Sequence, residues 1–334
     1  MNAPSFKAPP KLTNQHGEPR KVGIEIEMSG IELSMIVCQI NIAFGGRIKE
    51  TSRYEFAVEA TRLGDFKIEL DSRQLRLLEK QKLANPDLQA EPIPDLEMYT
   101  KDMLAALSKN LVPCELVAPP LPIDSLHELN TVMELLRQHG AKGTRTSLFY
   151  AFGVHLNPEL PDLQAVTLLN YLKAFICLQD WLVKAEQVDL TRKLSPFIDD
   201  FPKAYKQLIL QPSYQPAIEQ LVADYLQHNP TRNRIMDMLP VFAYLDEAPI
   251  KQALGEEKLN KRPTLHYRLP NSDIDNPEWG LEQCWNNWLA VEKLANDPDR
   301  LARVSSAYLQ TQTPQLPEML KPWIDSLKEL MADQ

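Results

Sequence analysis

The stretch Val22-Gly-Ile-Glu-Ile-Glu-Met28 constrains the fold more than any other part of the chain. Successive side chains of a β-strand point to opposite faces. Val22, Ile24, Ile26 and Met28 therefore share one face, and Glu25 and Glu27 lie together on the other, about 7 Å apart. The rule recurs three times. Phe66, Ile68 and Leu70 oppose Lys67, Glu69 and Asp71. Leu148, Tyr150, Phe152, Val154 and Leu156 oppose Ala151, Gly153, His155 and Asn157. Leu265, Tyr267 and Leu269 oppose Thr264, His266 and Arg268. Cys114–Ala118 reads as a shorter apolar strand with Glu115 as its polar exception.

These segments predict an antiparallel sheet with one apolar face for helices and one polar face. Alternating glutamates on such a sheet usually form a solvated outer surface. Here the polar positions mix Glu, Asp, His, Asn and Arg and nearly avoid the Lys and Thr that solvated strands favour. Carboxylates held this close repel one another unless a cation or water screens them. Oxygen-rich clusters suit Mg²⁺ or Mn²⁺, and an imidazole suits Mn²⁺. The metal candidates are Glu25, Glu27, Glu115, His155 and His266, with Glu69 and Asp71 as acid–base candidates. The small residues Ala151 and Gly153 beside His155 predict room for a ligand near the backbone.

Helical spacing is expected over residues 31–44, closed by Gly45-Gly46, over 95–109, over 124–139 with Asp124 as cap, and near 278–296 and 316–332. Residues 161–256 read as mainly helical, broken by prolines. A hairpin is expected around Leu63-Gly64. Trp285 and Trp288 read as a packing stripe of their helix. The interleaving of strands and helices predicts an α+β fold: a Pro-rich, loosely held arm over residues 1–20, then a single domain from residue 21 to 334 with a helical second half.

The formal net charge of −9 and the lack of any basic run argue against a nucleic-acid partner. No signal-peptide core and no membrane-spanning segment is apparent, so a cytoplasmic protein without a membrane partner is expected. Cys38, Cys114, Cys177 and Cys284 lack metal or redox spacing and read as buried thiols in a reducing compartment. Neither a Walker-type phosphate loop nor a G-x-G-x-x-G turn is present, so any nucleotide must be cradled by metal and arginine. Arg232 and Arg234, set at a helix start where positive charge is disfavoured, are candidates for an anion.

VGIEIEM, FKIELD, CELVAPPL, FGVHLNPE and LHYRLPNSDIDNP occur in that order between about residues 22 and 290. Together they resemble the amidoligase family, within the carboxylate–amine ligases that include glutamine synthetase and glutamate–cysteine ligase. The resemblance implies a curved, glutamine-synthetase-like antiparallel sheet. It also implies an ATP-dependent ligase that joins a carboxylate, small or peptidic, to an amine through an acyl phosphate, with Mg²⁺ or Mn²⁺. It places Glu25 and Glu27 on metal, Glu115 on metal or the amine, His155 near the metal at the phosphates, and Arg268 on phosphate. Asn157, Arg232 and Arg234 join Arg268 as nucleotide candidates. The family has Glu two residues before that arginine, where this chain has His266. Two alternatives stand beside the ligase: a guanidino or amino phosphotransferase on a similar sheet, and a ligand-binding member that has lost turnover.

Overall fold

The structure is a computed structural model and describes residues 5–52, 54–70, 114–144, 152–188, 199–255 and 259–311. The fold is mixed α and β. Its strands are β1 (Lys21–Met28), β2 (Arg47–Ser52), β3 (Glu55–Thr61), β4 (Gly64–Leu70), β5 (Cys114–Val117), β6 (Leu121–Pro122), β7 (Val154–Pro158), β8 (Met236–Asp237) and β9 (His266–Tyr267). They form one open sheet in the order β2-β3-β4-β5-β1-β7-β9-β8, with β6 paired to the start of β1. Every pairing among these strands is antiparallel.

Nine α-helices occur among the described residues: α1 (Leu33–Phe44), α2 (Leu129–Gln138), α3 (Ala165–Ala185), α4 (Lys203–Ile209), α5 (Ile218–His228), α6 (Leu239–Leu245), α7 (Glu247–Leu254), α8 (Leu281–Ala295) and α9 (Pro298–Thr311). In α1, Leu33, Ile36, Val37, Ile40 and Phe44 recur at helical spacing and are buried. Each such side chain contributes on the order of 1.5–3 kcal/mol by leaving water. Phe44 stacks on Phe66 of β4 at 5.4 Å, which seats α1 on the apolar face. Farther along the sheet, Tyr267 of β9 packs against Phe175 of α3 (5.9 Å) and Trp288 of α8 (5.0 Å). Trp285 and Trp288 are fully buried, as expected of a packing stripe.

The β3–β4 hairpin turns where expected. Thr61 Oγ1 donates to the Gly64 carbonyl (2.6 Å) and accepts the Leu63 N–H (3.1 Å). Gly64 adopts φ +119°, where a Cβ would also meet Pro119 at 3.0 Å. The last strand is shorter than the expected 264–269: Tyr267 faces Leu156 of β7 and Met236 of β8, and His266 faces Asp237 of β8. Asp124 does not cap a helix. It lies inside a 3-10 turn, Ile123–Glu128, that leads into α2, and its carboxylate accepts from Ser125 Oγ (3.0 Å).

From Ser5 onward, the arm expected over residues 1–20 is hydrogen bonded to α8. Lys7 N–H donates to Asn286 Oδ1 (3.0 Å), Trp285 Nε1 donates to the Lys7 carbonyl (2.8 Å), and Asn286 Nδ2 donates to the Ser5 carbonyl (2.9 Å). Three cysteines are buried, but Cys38 is exposed on the outer side of α1. Contrary to expectation, one segment does reach membrane-spanning length and apolarity: α3, 21 residues long, most of which is buried inside the fold. The helices expected over 95–109 and 316–332, and the start of the strand expected from Leu148, lie outside the described residues.

Candidate functional site

Sheet register assembles the polar face. Glu27 of β1 faces Glu115 of β5, Glu115 faces Glu69 of β4, and Glu69 faces Glu55 of β3. Four glutamates thus form a row across four strands. The neighbouring row pairs Glu25 of β1 with His155 of β7. The face is not a solvated surface at its centre. Glu27 and His155 are each 7% exposed, Asn157 2% and His266 4%. It opens toward β4, where the Glu69 side chain is 32% exposed.

A cleft of about 260 Å³ lies over this face, lined among others by Glu25, Glu27, Glu69, Glu115, His155, Arg232, Arg262 and His266. Two donor sets converge in it: one atom each from Glu27, Glu115 and His155, and one each from Glu25, His155 and His266, lie within 4.8 Å of one another. Glu27 Oε2 accepts the Gly153 N–H (2.6 Å), and its Oε1 lies 3.7 Å from His155 Nε2. The space expected beside Gly153 is therefore taken by the Glu27 carboxylate. His155 Nδ1 is 3.0 Å from Glu25 Oε2 and 3.9 Å from Glu115 Oε1.

Glu25 is held from three sides. Asn157 Nδ2 (3.0 Å) and Arg262 Nη2 (3.1 Å) donate to its Oε1, and His155 Nδ1 donates to its Oε2 (3.0 Å). Burial would raise this carboxyl, but the imidazoles of His266 and His155 and the Arg262 guanidinium outweigh it and hold it well below the usual range. Arg262 also donates to Asn157 Oδ1 (2.9 Å), and a guanidinium can only donate, so the amide's orientation is fixed. His266 then donates its Nδ1 proton to the same oxygen (2.5 Å). Burial, with the positive charge of Arg268, pushes the His266 imidazole well below its ordinary value and keeps it neutral.

Residues 18–290 match the family described as "putative amidoligase enzyme". The chain belongs to this family. No curated protein and no solved structure matches it.

The expected residues fall into three places. Glu25, Glu27, Glu69, Glu115, His155, His266 and Arg232 meet in the cleft. Asn157 and Arg268 lie in its wall: Asn157 braces Glu25 and His266, and Arg268 is 3% exposed, with Nη2 3.4 Å from Asp237 Oδ2. Burial raises the Asp237 carboxyl, against the opposing pull of Arg268. Arg234 is not among the cleft residues; it donates to the Asp200 and His228 carbonyls and lies over the Phe201 ring at 5.9 Å. Asp71 lies outside the described residues.

Sequence reasoning missed Arg262 and Glu55. Arg262 has the same parity as Thr264, His266 and Arg268, so carrying the alternation back across Pro263 would have placed it on the polar face. Glu55 needed the register of β3 against β4. Lys67, also in the cleft, reaches Glu69 (2.7 Å) and Glu55 (3.4 Å), so an ammonium group already sits among the outer carboxylates of the row.

Proposed function

We propose that this cleft joins a carboxylate to an amine in a reaction coupled to ATP cleavage. The observation that carries the reading is the convergence of Glu25, Glu27, Glu115 and His155 under one buried, arginine-flanked cleft in a chain of the amidoligase family. The curved, glutamine-synthetase-like form of the sheet belongs to the same proposal. Free thiols at all four cysteines support the cytoplasmic setting expected of an ATP-using enzyme.

In the reaction, a substrate carboxylate oxygen attacks the γ-phosphorus of ATP and ADP leaves. The amine nitrogen then attacks the acyl carbon, and phosphate departs with the former carboxylate oxygen. Two carboxylates and an imidazole at Glu27, Glu115 and His155 fit Mg²⁺ or Mn²⁺. A cation bound there screens the charge of the triphosphate. Arg232 and Arg262, both in the cleft lining, stabilise the equatorial oxygens of the moving phosphoryl group. Arg268 acts from behind the wall, through its charge beside His266. Glu69 lies at the open side of the row, where it receives the substrate ammonium in place of Lys67 and accepts the proton that the amine must lose before attack. Asn157 positions Glu25 and His266 and does not touch the nucleotide.

The test supplies purified protein with ATP, Mg²⁺ or Mn²⁺, and pools of acids and amines. ADP and inorganic phosphate appearing only when acid and amine are both present supports the ligase. A phosphorylated amine would overturn it, as would silence under both metals.

A further inference from the structure

A second recess, of about 380 Å³, lies between α3 and α9 and shares no lining residue with the cleft. The two helices build it in the same way. Val166, Leu169, Asn170 and Lys173 of α3 follow the spacing i, i+3, i+4, i+7, and so do Pro298, Leu301, Ala302 and Ser305 of α9. Each helix thus turns one continuous stripe toward the gap. Phe175, two residues beyond Lys173, points to the other side of α3 and packs on Tyr267 of the sheet. The chain from Leu210 to Pro216, between α4 and α5, supplies the third wall. Leu169, Leu210 and Leu301 are buried, whereas Val166 is exposed, so the recess is apolar from floor to rim. Pro212, Pro216 and Pro298 fix φ in its walls, and a preformed wall costs a ligand little ordering. Sites for small molecules begin near this volume, at about 300 Å³.

Lys173 is the one charged residue in this lining. Among the described residues no carboxylate acts on it, and burial lowers its ammonium below the ordinary lysine value. Its neighbour Cys177 is no counter-ion, because burial pushes that thiol up to about 12. Tyr214 Oη is committed to Asp224 Oδ2 (2.7 Å), and Ser305 Oγ lies 3.9 Å from Cys177 Sγ. Asn170 and Gln215 are neutral amides. The recess therefore combines room for an apolar body with one half-buried cation that lacks an anion, an arrangement that costs free energy until an anion arrives.

We propose that the recess between α3 and α9 binds a small amphipathic carboxylate, with its apolar chain between the two helical stripes and its carboxylate on Lys173 Nζ. Asn170, on the same stripe as Lys173, supplies an amide N–H to the second carboxylate oxygen. A neutral ligand would leave the ammonium without an anion, and a cationic one would be repelled by it. The site is separate from the cleft and does not depend on the reaction proposed there.

The test titrates the full chain with octanoate by calorimetry, without ATP or metal, so its outcome is independent of any ligase activity. Octanoate should bind at one site. Acetate, which has the charge without the chain, and octanol, which has the chain without the charge, should each bind at least about tenfold more weakly. Lys173→Met should weaken octanoate at least about tenfold and leave octanol unchanged. Ala302 is exposed, so Ala302→Trp should place an indole in the recess and remove octanoate binding with the circular-dichroism spectrum unchanged. Octanoate affinity unchanged in either variant overturns the proposal, since the ligand then lies elsewhere. It is also overturned by octanol binding as tightly as octanoate, which marks a neutral ligand, or by no octanoate binding tighter than about 1 mM. A dimer that sediments from the unsubstituted chain and not from Ala302→Trp would give the recess to a second copy and overturn it too. Should Lys173→Met fail to fold, Ala302→Trp and the octanol comparison decide the matter.

Discussion

Arg20 offers the sharpest test of the fold, because it ties the start of β1 to α8 through a fully buried ion pair. Its side chain is 1% exposed and that of Glu292 is 0%. Two hydrogen bonds join them, at 3.0 and 2.7 Å, and Arg20 also donates to the carbonyls of Glu159 (2.7 Å) and Lys11 (2.8 Å). Replacing Arg20 with Met keeps most of the volume and strands the Glu292 carboxylate without its cation. Removing one partner of a buried pair costs about 3–5 kcal/mol. Tyr171 Oη (2.5 Å) and Trp288 Nε1 (3.2 Å) still donate to Glu292, so the loss should lie near the lower end, about 3 kcal/mol. Adding Glu292→Gln to Arg20→Met removes the stranded charge and should recover part of that loss. Urea unfolding of the single and double variants closes the cycle. A loss below about 1 kcal/mol in Arg20→Met, the size found for exposed pairs, would show that residue 20 is not buried against α8.

Three further outcomes follow from the site. Glu27→Gln should abolish Mn²⁺ binding with the circular-dichroism spectrum unchanged; unchanged affinity by calorimetry would remove Glu27 from the site. Arg262→Met should leave the fold intact but removes one of the two donors to Glu25 Oε1 and one of the two to Asn157 Oδ1, so ATP-dependent turnover should fall at least about tenfold; equal kcat/KM in the two proteins would show that Arg262 does no more than line the wall. His266 is held below its ordinary value of 6.5 in the folded state, so the unfolded chain takes up the proton first. Stability should therefore decline as pH falls below about 6.5, and His266→Gln should flatten that part of the urea-midpoint profile. Identical slopes for the two proteins between pH 6.5 and 5 would contradict the buried, neutral ring.

The strands that built the site were legible because side-chain polarity alternates with a period of two in β1 and β4. Val22, Ile24 and Ile26 are buried on one face, and the carboxylates of the other face follow without further information. The edge strand β2 carried no such signal, since all six of its residues are exposed and none needs to alternate. β6, β8 and β9 have two paired residues each, too few for any period to show. Register was the larger loss. The sequence places Glu27, Glu69 and Glu115 on polar faces, but only the pairing of β1, β5 and β4 puts them in one row. The supporting shell was also hidden, because it depends on contacts across long separations: Arg262 with Glu25, 237 residues apart, and Arg268 with Asp237. The assignment of Arg268 to phosphate came from the motif alone, and burial beside Asp237 is a property that no motif encodes.

The central claim is that a carboxylate is activated by phosphoryl transfer before the amine attacks it. Carboxylate substrates labelled with ¹⁸O, supplied with amines, ATP and Mn²⁺, test that step directly through the mass of the phosphate released. One ¹⁸O is expected in inorganic phosphate for every amide formed, with ADP as the nucleotide product. Amide formation with unlabelled phosphate, or with AMP and pyrophosphate, would contradict it.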